Sequence, residues 1–133
     1  MSAPSVDIKD ILLAESSLAL TFATDLFIGK EPASPANTVT IFDTPGPGAD
    51  LYFDRTIRWE HSGIQIRVRN RSYVAGWNLL DSIRAVLQGR ANETWNSTFY
   101  GIITCAGDIA LLDWDENNRA RWILNFDLQR NAG

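Results

Sequence analysis

The sequence is short of the residues that most reactive sites use: it has one cysteine, one histidine and one methionine among 133 residues. A lone Cys105 excludes an internal disulfide, and its apolar neighbours in YGIITCAG favour a buried, unreactive thiol. Any Ser-His-Asp or Cys-His pair would have to use His61, whose setting in WEHSG, just ahead of an apolar strand, is that of an ordinary turn. Apolar runs of ~18 residues are missing, so no membrane-crossing helix is expected. The opening MSAPSVDIKDILLAESS has no basic stretch before a compact apolar one. It does not read as a signal peptide, and the expectation is a chain made and kept in a cytoplasm, where the sequons at Asn92 and Asn96 carry no weight. A formal net charge of −4 argues against a surface built to neutralise phosphates.

What is present is the composition of a globular protein, 45% apolar and 21% charged. One domain over residues 1–133 is expected, long enough to bury roughly two-thirds of its unfolded surface. Ser5 reads as the N-cap of an amphipathic helix running from Val6 through Ala14, with Ile8, Ile11 and Leu12 on one face and Asp7 in the first turn. Residues 23–28 and 38–42 favour strands, and the two prolines between them suggest a hairpin with a long loop. Residues 44–50, TPGPGAD, break structure. Residues 63–71 then alternate, with Ile64, Ile66 and Val68 opposite Gln65, Arg67, Arg69 and Arg71.

From residue 72 to 88 the period becomes helical, with Tyr73, Trp77, Leu80, Ile83 and Leu87 along one stripe and Gly89 placed to end it. Strands follow over 98–106, 109–114 and 120–129, with 115–118 as a turn. In the last strand Trp122, Leu124, Phe126 and Leu128 share one face. This order predicts an α+β fold: an antiparallel or mixed sheet with two helices packed on one side.

A search for chemistry yields no catalytic, cofactor or metal site. GxSxG, Walker A and GxGxxG motifs do not occur. Asp113, Asp115 and Asn117 match the opening of a calcium loop, but Asn118 and Leu124 stand where that loop needs glycine and a bidentate glutamate, so a solvated turn is expected. Arg67, Arg69 and Arg71 recur about every 6.7 Å along one strand face. Two readings stay open for them: a solvated face, or a surface that pairs with acids such as Asp113, Asp115 and Glu116 of a neighbouring copy.

The segment TVTIFDTPG with Asp43, Thr44, Pro45 and Gly46, the strand IQIRVR, and the helix led by Tyr73 together resemble the tail-terminator proteins of long-tailed bacteriophages. These are also called tail-completion or minor capsid proteins. The resemblance spans residues 28–89; where the family usually has two glycines after Asp-Thr, this chain has Pro45-Gly46-Pro47. It implies a structural virion protein, not an enzyme, that forms a hexameric ring at the head-proximal end of the tail. The expected partners are further copies of itself, the tail tube protein and the head-tail connector, with DNA passing through the lumen without specific binding. Assembly would take place in the host cytoplasm, with no membrane involved. The alternatives are another head-tail connector, adaptor or tail component and, from a different class, a small α+β hydrolase or ligand-binding module, which would need Asp43, His61 or the acidic turn to line a deep polar pocket.

Overall fold

The computed structural model describes residues 2–48, 50–51 and 58–131. Helix α1 (Pro4–Ala14) is followed by a single 3₁₀ turn, then β1 (Leu26–Ile28), β2 (Thr38–Thr44), β3 (Asp50–Leu51) and β4 (Arg58–Asn70). Helix α2 (Tyr73–Leu87) leads into β5 (Ala91–Trp95), β6 (Thr98–Cys105), β7 (Ala110–Trp114) and β8 (Ala120–Asn131). The strands form one mixed sheet in the order β1-β2-β4-β8-β6-β5, with β3 added to β4 and β7 added to β8. The α+β class read from the sequence holds.

The spine of the sheet is the antiparallel pair β4 and β8, in register from Glu60 opposite Arg130 to Asn70 opposite Ala120. The two-residue period sends Ile64, Ile66 and Val68 of β4 and Trp122, Leu124, Phe126 and Leu128 of β8 to the same side, where each is buried. Both helices lie on that side. Ile8, Ile11 and Leu12 of α1 and Leu80, Ile83 and Leu87 of α2 close a single core with the inward strand residues. Helix α2 approaches closely because Gly76 faces Trp122: a Cβ there would sit 2.8 Å from the indole Cδ1.

Several expectations need correction. Strands β1 and β2 are parallel, with Leu26 opposite Val39 and Ile28 opposite Ile41, and do not form a hairpin. Strand propensity carries no information on direction, and a three-residue β1 lets residues 29–37 run back to the start of β2. Of the α2 stripe, Leu80, Ile83 and Leu87 are buried, whereas Tyr73 and Trp77 are exposed, at 47% and 37%. Strand β5 was not anticipated; it turns into β6 through Asn96 and Ser97, both at positive φ. Strand β4 begins earlier than expected, at Arg58. Of the expected 44–50 loop, position 49 lies outside the described residues, Thr44 ends β2 and Asp50 starts β3.

The cap of α1 also differs from expectation. The N-cap is Ala3, which makes no side-chain hydrogen bond, and Ser5 lies inside the first turn. The cap comes instead from 38 residues away: the Asp43 carboxylate accepts from the Ser5 amide at 2.9 Å and from Ser5 Oγ at 2.7 Å. An anion at this position satisfies an orphan amide and the positive end of the helix together. Asp43→Ala is therefore expected to destabilise the fold by about 1–2 kcal/mol, read by urea unfolding, with the largest rise in amide exchange in α1; equal stability would remove this role.

Candidate functional site

The Asp-Thr-Pro-Gly segment, singled out as a motif, is brought against the start of β4. Gly46 is required there by close approach, since a Cβ would fall 1.6 Å from the His61 carbonyl oxygen. Thr44 pairs with Gly63 across the sheet, where a Cβ on Gly63 would meet Thr44 Oγ1 at 2.4 Å. Asp43, Gly46, His61 and Arg130 do line one depression. It is open, and both oxygens of Asp43 already hold Ser5. The motif thus joins α1, β2 and β4.

Beside it lies a buried polar network that sequence reasoning missed. Asp7, expected in the first turn of α1, is fully buried and accepts from the Tyr100 hydroxyl and from Asn96 Nδ2 at 2.7 Å. Arg130 Nη1 stands 3.5 Å from Asp7 and donates at 2.7 Å to the Ser2 carbonyl, while its Nε donates at 2.9 Å to Glu60. Burial, aided by the hydrogen bond to Asp7, holds the Tyr100 phenol well above its ordinary range, so it stays protonated as a donor. The only sequence signal was Arg130 falling on the inward side of β8, one step past Leu128.

The arginine stripe is not a uniform outward face. Arg69 is buried, and its guanidinium holds the 29–37 loop: Nε donates to the Ala36 carbonyl at 3.2 Å, Nη2 to the Pro35 carbonyl at 2.7 Å and Nη1 to Glu31 at 3.3 Å. Arg69 stands directly opposite Arg121 across β4 and β8, and Glu31 Oε1 lies 3.3 Å from both, so one carboxylate offsets a like-charge pair. Burial lowers the Arg69 pKa below its ordinary value, against the pull of Glu31. Arg119 adds a bond to the Ala33 carbonyl at 3.1 Å. A loop with few apolar side chains is thereby anchored through its carbonyls. Arg67 is half-buried, 4.7 Å over the Phe42 ring and bonded to Gln65 at 3.1 Å, whereas the Arg71 side chain is exposed.

The acidic residues of the β7–β8 turn separate in the same way. Asp115 is buried and accepts from the Arg119 amide at 2.9 Å, Arg119 Nε at 2.6 Å and the Asn117 amide at 3.0 Å. Desolvation would raise its pKa, but these hydrogen bonds and the Arg119 charge outweigh it and hold the carboxyl below its ordinary value. Asp113 is exposed, 3.0 Å from Arg121 Nε, and Glu116 is exposed as well. Burial pushes the half-buried Cys105 thiol up. Among the described residues no group of His, Cys, Asp and Glu has the arrangement of a metal site, and no helix is long and apolar enough to cross a membrane.

Taken together, these are a sheet covered by helices on one side, an open depression beside the motif, and polar groups that hold the chain together. The chain belongs to the bacteriophage tail terminator protein family, whose profile matches residues 12–131, and is a structural component of the phage virion. A chain from the virion of a native gene transfer agent particle has the same fold, with a TM-score of 0.61 and 13% identity over 97% of this chain and 95% of that one. No curated protein matches the sequence.

Two outcomes test this account of the charged groups. Arg69→Met should lower stability by about 2–3 kcal/mol, the low side of what an abandoned buried partner costs because Arg121 still faces Glu31, and should raise amide exchange across residues 29–37. Asp115 has a folded pKa below its unfolded one, so its contribution is present above about pH 4 and is lost as pH falls through the folded value. Asp115→Asn should flatten the acid limb of the stability profile; an unchanged limb would discount the turn.

Proposed function

We propose that the chain forms a ring, hexameric as the family resemblance implies, that caps the head-proximal end of the tail tube, halts tube polymerisation and presents a docking surface to the head-tail connector. The observation that carries this reading is the family match along nearly the whole chain. It is supported by where the polar groups are used: Asp43, Asp7, Arg69 and Asp115 are consumed in internal contacts, which leaves outer surfaces for partners and little for catalysis. Of the charged residues considered as an interaction surface, Arg71, Asp113 and Glu116 are exposed and Arg67 partly so, and these four are the members available to a neighbouring copy. Arg69 and Asp115 support that surface from beneath. The acidic balance of the chain suits a lumen through which DNA passes without being held.

The reading is tested in cells infected by a phage that lacks its terminator and depends on this chain. Supplied with it, tails should have uniform length and joined heads by electron microscopy. Without it, tubes should overgrow and heads remain unjoined. Uniform, joined tails in its absence would defeat the proposal.

A further inference from the structure

We propose that the free edge of β7, with the flank of α2 beside it, receives an extended segment of another tail protein, apolar at alternate positions, which joins the sheet as one more strand. This rests on the reading of the chain as a tail subunit and holds whatever the number of subunits.

The place is defined by the row to which β7 belongs. Strand β8 gives one edge to β4 from residue 120 to 130, and the other to β7 at residues 120–123 and to β6 at residues 126–131. Strands β6 and β7 therefore follow one another along β8. The far edge of β6 is filled: β5 pairs with it, the Gly89 amide donates to the Ile103 carbonyl at 2.8 Å, the Ile103 amide to the Arg90 carbonyl at 2.9 Å, and the Cys105 amide to the Gln88 side-chain oxygen at 2.6 Å. There the filling stops. Among the described residues β7 pairs with β8 alone, and no further strand or turn bonds to the backbone of Ala110–Trp114.

Helix α2 runs beside this open edge. Its first turn meets the end of β7, where Tyr73 stacks on Trp114 with ring centroids 5.9 Å apart, and its last turn reaches the other end, where Arg84 Nη1 stands 3.3 Å from Asp108. Trp77, one turn on from Tyr73, is exposed between them. Leu111 lies opposite Trp122 and Trp114 opposite Ala120, which puts both on the helix side of the sheet, yet they are 38% and 49% exposed. The open edge thus has an apolar floor.

The backbone selects the occupant. An open ladder edge presents amides and carbonyls in a row; a helix has its own groups bonded internally, so an extended chain is what can meet them. Edges that stay unpaired are blunted by shortness, bulges, proline or lysine. Strand β1 has three residues and β5 is interrupted by Asn92 at φ 57°. Strand β7 has five residues, no proline or lysine, a single bulge at Leu112, and one charge, Asp113, already engaged by Arg121. The same comparison favours another protein over a second copy, because neither β1 nor β5 offers five regular residues to lie along β7. The apolar floor sets the side chains: every second residue of the incoming strand faces Tyr73, Trp77 and Leu111.

The test uses tails assembled with the chain as sole terminator and with benzoylphenylalanine at position 112, irradiated, digested and read by mass spectrometry. Hydrogen exchange of the unaltered chain is compared between tails and free subunit. The expected result is one cross-linked product, joining position 112 to a single short segment of another tail protein, with amide exchange in residues 110–114 slowed by about tenfold or more in tails. Within the linked segment the slowed amides should alternate, as in a strand bonded along one edge. A link to a second copy would overturn the occupant, evenly slowed amides would overturn the strand, and no product or unchanged exchange would overturn the site. Leu112→Lys should reduce incorporation into tails by about tenfold or more with the circular dichroism of the free subunit retained, while Leu112→Thr, uncharged and strand-forming, should be incorporated normally. Equal incorporation of the two would overturn the proposal. Tails from which the chain is absent would defeat the tail reading together with this one, whereas tails that carry it with the edge unlinked would defeat this one alone.

Discussion

The ladder between β4 and β8 is the constraint on which the remaining structure depends. It fixes which side of the sheet is apolar, and through that side it places both helices. It also sets Arg67 opposite Ile123 and Arg69 opposite Arg121, so the polar side is determined by the same register. A slip of one residue would turn Ile64, Ile66 and Val68 outward and carry Arg67 and Arg69 into the core. The core and the arginine clamp are two results of one alignment.

That alignment leaves the sheet with two unlike faces. One is covered by helices and closed by aliphatic packing. Among the described residues the other has the 29–37 segment over its end, where Thr38 and Thr40 are buried beside the arginines. Such a segment has little hydrophobic means of attachment, and guanidinium groups bonded to its carbonyls take that part. Helix α1 is joined by a comparable device, a carboxylate from β2 in place of a local cap. In both cases a charged side chain from the sheet satisfies backbone groups of a distant segment, which is why removing the charge acts on another part of the chain.

Much of this was legible in the sequence, and the boundary has a physical basis. The alternation in β4 and β8 and the period of α2 were readable because a face buried on one side writes itself into every second or every third to fourth residue. The family resemblance was readable over residues 28–89, which take in β4 and α2 but not β8. The parallel pairing of β1, the cap from Asp43 and the partners of Arg69 were not, because each joins residues about 13 to 38 positions apart and depends on topology. The stripe of arginines shows the limit most clearly: identical residues at regular spacing end as a buried clamp at Arg69, a half-buried cation over a ring at Arg67 and an exposed side chain at Arg71. Spacing gave the face, and what covers the face is decided elsewhere in the chain.

The long register of β4 with β8 also has a mechanical meaning. Hydrogen bonds in an antiparallel pair run perpendicular to the strands. Tension applied along the strand direction therefore loads the whole ladder in shear, and its bonds must give way together. A pull across the sheet from the three-residue β1 would instead peel the edge one bond at a time. A subunit of this build is stiff along its central strands and weak at its rim, and resists stretching in only one of the two directions in its plane.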